Sequence, residues 1–71
     1  MFGPTLQQEV TQRQWELVCL LGLGYTIKQI AFRVGRSRRA VRITFRKIYE
    51  RTGTSDKLEL ATRWAWERVK D

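Results

Sequence analysis

Eight of the chain's fourteen lysines and arginines fall between Arg33 and Arg51: Arg33, Arg36, Arg38, Arg39, Arg42, Arg46, Lys47 and Arg51. Only Glu50 opposes them, so this stretch carries a net +7, the formal charge of all 71 residues. The chemistry open to such a cluster is recognition rather than bond making. Guanidinium groups hold phosphates and other planar acceptors bidentately, so a basic excess confined to one segment marks a face for a polyanion. A merely solvated helix face usually has acids interleaved, and this one does not. Catalytic groups are scarce. There is no His, the serines are Ser37 and Ser55, and Cys19, the single cysteine, has no imidazole to activate it. General acid–base and nucleophilic catalysis need such partners, and no glycine-rich phosphate loop or suitably spaced carboxylate pair occurs. We expect no enzyme and no cofactor. A zinc site is not expected with one Cys and no His, and an intramolecular disulfide is impossible.

The basic segment can act only if other elements hold it in place. Seventy-one residues lie near the lower limit for folding without staples, which points to a helical core aided by self-association. No run approaches a membrane span, and Met1 to Val10 lacks the basic start and apolar run of a signal peptide, so a soluble, cytoplasmic protein is expected. Residues 1–10 read as a flexible N-terminal arm, because Gly3-Pro4 disfavours helix; Phe2 and Leu6 either tuck against the body or await a partner. Residues 11–71 read as one compact all-α domain of four helices. Thr11 and Gln14 make a capping box for the first, Gln12 to Gly22, with Gln14, Leu17, Val18 and Leu21 as its core stripe. Gly24 suits a positive φ beyond its end. Thr26 caps the second, Ile27 to about Val34, with Ile27, Ile30, Ala31 and Val34 inward. Gly35-Arg36 breaks the chain and Ser37 caps the basic helix, Arg38 to about Thr52, with Val41, Phe45, Ile48 and Thr52 inward and Gly53 at its end. Ser55 or Asp56 caps the fourth, over 57–69, whose apolar positions are Leu58, Leu60, Ala61, Trp64, Ala65 and Val69.

Two helices joined by a short Gly-containing turn, the second basic on its outer face, form the helix-turn-helix pattern, in which that second helix enters the major groove. The start of such a helix reaches base edges, and Arg39, Arg42 and Ile43 project there. Arginine can read guanine O6 and N7, and Ile43 can sit against a thymine methyl; for Arg39 and Arg42, phosphate contact alone is the plainer alternative. Arg36, Arg38, Arg46 and Lys47 flank the groove as phosphate ligands. Thr26 and Lys28 open the second helix, and Ser55 and Lys57 the fourth, where backbone N–H groups favour a phosphate. Thr26 and Ser55 are equally well explained as plain N-caps, and Arg33 and Arg51 as solvated charges. Trp15, Cys19 and Leu23 stand at i, i+4 and i+8 on the far side of the first helix. They either fold over the core edge and the arm or form a surface for a partner. Trp64 and Trp66, at i and i+2, diverge by about 200° and cannot share one core. Trp64 is expected at the core edge and Trp66 outside.

Residues 11–61 resemble the DNA-binding domain of the LuxR/GerE (FixJ/NarL-type) transcription regulators, in one register without gaps. The resemblance is carried by Thr11-Gln-Arg13-Gln-Trp-Glu16-Leu-Val, by Leu20-Leu-Gly-Leu-Gly24-Tyr-Thr26-Ile-Lys28-Gln-Ile30-Ala31, and by Val34-Gly-Arg-Ser37, Val41-Arg42, Ile48-Tyr and Gly53-Thr-Ser55. Ala40 stands where that family usually has Thr, Thr44 where it commonly has His, Gln14 in place of Glu, and Ile43 at an often polar position. The resemblance implies a free-standing, GerE-like regulator that binds double-stranded DNA as a homodimer in a bacterial or phage setting. Positions 39, 42 and 43 are then base-readers, and the fourth helix pairs two domains through Ala61, Trp64, Ala65 and Trp66. A second reading is a protein-binding module like sigma-factor region 4, docking on RNA polymerase or another regulator through Trp15, Cys19 and Leu23. RNA binding or non-specific nucleic-acid coating is a third.

Overall fold

Each helix begins at a short polar side chain placed three residues ahead of an amide that it can bind. Thr5, Thr11 and Thr26 each accept from the N–H of a Gln three residues on, and Gln8, Gln14 and Gln29 each return a bond to the threonine's own N–H. Ser37 accepts from Ala40 N–H and Asp56 from Glu59 N–H. Such caps satisfy orphan donors of the first turn and contribute about 1 kcal/mol each. The structure, a computed structural model, describes residues 5–69. It holds α1 (Leu6–Glu9), α2 (Gln12–Gly22), α3 (Ile27–Val34), α4 (Arg38–Thr52) and α5 (Lys57–Val69). All regular structure among the described residues is helical. Gly24 has the positive φ anticipated for it. Gly35 does too, at 70°, and Arg36 N–H closes on Ala31 C=O at 3.0 Å, which fixes the tight exit from α3.

α4 buries Val41, Phe45, Ile48 and Thr52. Steps of four, three and four residues keep all of them on one side of a 3.6-residue helix. They meet Leu17, Val18 and Leu21 of α2, Ile30 and Ala31 of α3, and Leu60 and Trp64 of α5 in one core. Thr52 is tolerated there because its hydroxyl donates to Ile48 C=O at 2.8 Å and pairs with Thr54 Oγ1 at 2.9 Å.

Residues 5–10 are not an irregular arm. Leu6 is fully buried and Val10 joins the core cluster. Leu6 N–H donates to Glu67 Oε1 at 3.0 Å, and Glu9 pairs with Arg63 at 2.8 Å. Arg63 also binds Glu67 at 3.1 Å and Thr52 C=O at 3.0 Å, so one guanidinium ties α1, the end of α4 and α5 together. Phe2 and Gly3-Pro4 lie outside the described residues. Arg63→Leu should lower stability by about 1–2 kcal/mol in urea titration, since it strands two half-buried carboxylates. The Leu6 amide should exchange faster in the same variant. Unchanged stability would show that the network is solvated.

Of the apolar positions on α5, Leu60 and Trp64 face inward and Ala61 is half-buried, while Leu58, Ala65 and Val69 are exposed. No helix among the described residues is long and apolar enough to cross a membrane.

Candidate nucleic-acid interface

With Val41, Phe45 and Ile48 turned inward, α4 presents Arg38, Arg39, Arg42, Ile43, Arg46, Lys47 and Arg51 to solvent, and Glu50 is its one acid. Arg39, Arg42, Ile43 and Arg46 line one shallow depression, with Ile43 half exposed at 50%. The three residues expected to read bases are thus brought together, with Arg46 beside them. Among the described residues, none of the α4 cations forms an ion pair; both salt bridges belong to Arg63. Their donors are therefore unspent, which is the electrostatic condition for taking phosphates. Ala40 and Thr44 are half-buried, and the Thr44 hydroxyl donates to Ala40 C=O at 3.1 Å. Ile43 is the unusual residue that faces outward.

Behind this face, the Tyr49 ring lies 6.2 Å from that of Phe45. Burial, reinforced by the charge of Asp56, raises the Tyr49 phenol above its ordinary range. It stays neutral, and adds no negative charge beside the cations.

A groove of about 390 Å³ runs between α2, the α3–α4 turn and α4, lined by Arg13, Glu16, Arg33, Arg36 and Thr44 over Leu17, Val34 and Val41. It sets Arg13 near Arg36, an association the sequence reading missed; the signal was an exposed Arg in the first turn of α2. Arg33 is not merely solvated. Its guanidinium stacks over the Tyr25 ring at 4.4 Å and donates to the Tyr25 hydroxyl at 2.9 Å.

The two helix starts expected to hold phosphates differ. At α3, Thr26 and Gln29 cap each other, and the exposed Lys28 follows in the first turn. At α5, the Glu59 carboxylate accepts from Ser55 N–H and Asp56 accepts from Glu59 N–H. Two carboxylates already occupy that positive end, so Ser55 and Lys57 offer a phosphate only their side chains.

Trp15 and Cys19 are half-buried against the core, while Leu23 is exposed. The stripe along α2 is therefore split between the core edge and solvent. Trp64 and Trp66 diverge as their spacing requires: 7% and 64% exposed. Trp64 belongs to the core with Arg68 stacked 4.8 Å over its ring, which withdraws it from any pairing surface. Ala65 and Trp66 remain accessible, with Leu58 and Val69 exposed on the same helix. No group of three or more metal-ligating side chains occurs among the described residues. No family model matches the chain, and no curated protein or solved structure matches it.

Proposed function

We propose that the chain is a sequence-specific, double-stranded-DNA-binding transcription regulator of the LuxR/GerE type, with α3 and α4 as its helix-turn-helix. The observation that carries this reading is the α4 face, where Arg39, Arg42, Ile43 and Arg46 form one exposed patch without a neighbouring acid partner. A single helix standing out from a core in this way fits a major groove, and arginines with one apolar contact are a base-reading set. Arg39, Arg42 and Ile43 are the members that read, while Arg36, Arg38, Arg46 and Lys47, with Lys28 at the start of α3, hold the backbone on either side. Two copies are needed for tight binding, since one small module covers too little DNA. The apolar outer side of α5, with Leu58, Ala65, Trp66 and Val69, supports pairing there, and Ala61 borders it.

Selection from a random duplex pool, with the mass of the protein in solution measured alongside, tests this directly. An inverted repeat with half-site centres about ten base pairs apart is expected, bound by two copies. Enrichment of no sequence would reduce the protein to a non-specific polyanion binder. The protein-binding reading has less support, because Trp15 and Cys19 lie against the core.

A further inference from the structure

Phe32 is the most exposed large apolar side chain among the described residues, 89% open to solvent on α3. One exposed apolar residue is ordinary. Its surroundings are not. Phe32 lines a single shallow depression with Tyr25, Thr26, Lys28, Gln29 and Arg33. Tyr25 is held there by the stacked, hydrogen-bonded guanidinium of Arg33, so a second ring and a second cation are fixed beside the first. No acid lines the depression.

We propose that this patch docks an acidic protein segment that carries an apolar or aromatic side chain, on a surface separate from the α4 face. Charge complementarity selects the acids: Lys28 and Arg33 flank the ring, and α3 has no carboxylate of its own. The ring selects a protein over a duplex. Phosphates need N–H or O–H donors, which Phe32 lacks, and bases in duplex DNA are already stacked. Only an apolar counterpart gains by covering the ring, and rigid aromatic and arginine groups are the residue types that anchor such contacts. The patch shares Lys28 with the backbone contacts proposed above, but its ring and Arg33 take no part in DNA reading by α4.

The probe is a synthetic peptide of Asp and Glu alternating with Leu and Phe, titrated into the full ¹⁵N-labelled chain. Its Asn/Gln counterpart and single-stranded oligothymidylate serve as controls. Amides of Tyr25, Lys28, Gln29, Phe32 and Arg33 should shift together with the acidic peptide and much less with the neutral one. Phe32→Ser, at an exposed site that folding does not need, should weaken the peptide about tenfold, while Phe32→Leu keeps most of the affinity. Phe32→Ser should leave duplex DNA affinity unchanged, and Arg42→Ala should leave the peptide affinity unchanged. The proposal is overturned if the peptide fails to bind, if its shifts centre on α4, or if Phe32→Ser binds it normally. It is equally overturned if oligothymidylate displaces the peptide from the α3 amides, which would make the patch a single-strand surface.

Discussion

Gly22→Ala should destabilise the domain by about 2–3 kcal/mol, although alanine is the better helix former. In an open helix the exchange stabilises by up to about 1 kcal/mol. Here a Cβ on Gly22 would lie 2.3 Å from Cδ2, 2.4 Å from Cε3 and 2.9 Å from Cε2 of Trp64. Those distances are far inside the contact of about 3.5–4 Å at which carbon atoms attract. The indole cannot simply swing aside, being 7% exposed in the core with Arg68 over its face. Relief needs α2 and α5 to separate, and overpacking of this kind costs typically about 1–3 kcal/mol, occasionally more. For a domain this small the loss is a large part of a total of roughly 4–10 kcal/mol. Urea unfolding measures it, and the Trp64→Leu background isolates it. With the smaller side chain opposite, adding Gly22→Ala should cost little or stabilise. An equal loss in both backgrounds would mean that the ring is not the obstacle.

Gly22 was legible only as a helix end, since nothing local records that a tryptophan 42 positions later lies against it. The same boundary runs through the rest of the molecule. The α4 stripe could be read because Val41, Phe45, Ile48 and Thr52 obey helical spacing unaided, and its cations because an uncompensated charge needs no partner to be seen. Spacing alone also separates Leu58 from Leu60 on α5. Leu58 and Leu60, like Trp64 and Trp66, are two residues apart and cannot share a face. Phe32 likewise falls off the stripe of Ile27, Ile30, Ala31 and Val34, so its exposure was implicit. Thr5 carries the same Thr-x-x-Gln box as Thr11 and Thr26, and Gly3-Pro4 next to it obscured the signal. What no local pattern contains is the bond from Leu6 N–H to Glu67, which spans 61 positions. That bond, with the Arg63 pairs, turns a supposed arm into a packed element. Trp15 and Cys19 are burial questions of the same non-local kind, decided by how the core assembles around α2.

The largest binding effect should come from salt. In the proposed complex five cations meet phosphates: Lys28, Arg36, Arg38, Arg46 and Lys47. Each phosphate neutralised releases condensed counterions, giving a log–log slope of about −0.9 per contact, so one copy should show a slope near −4.5. Raising monovalent salt from about 50 to 200 mM should then weaken binding several-hundred-fold per copy, and more for a pair. Single substitutions divide the face. Lys47→Ala should lower affinity for all duplexes alike and reduce the slope by about one. Arg42→Ala should cost about 1–3 kcal/mol on the selected sequence and much less on random DNA, because a bidentate guanine contact has no counterpart off-site. Ile43→Ala removes only a methyl contact, and its loss should be confined to the base pair that faces it. Fluorescence anisotropy on selected and scrambled duplexes over a salt series measures all three. If Arg42→Ala weakens both duplexes equally, Arg42 is a phosphate ligand. Specificity would then have to reside in Arg39 and Ile43, the other members of the patch proposed to read bases.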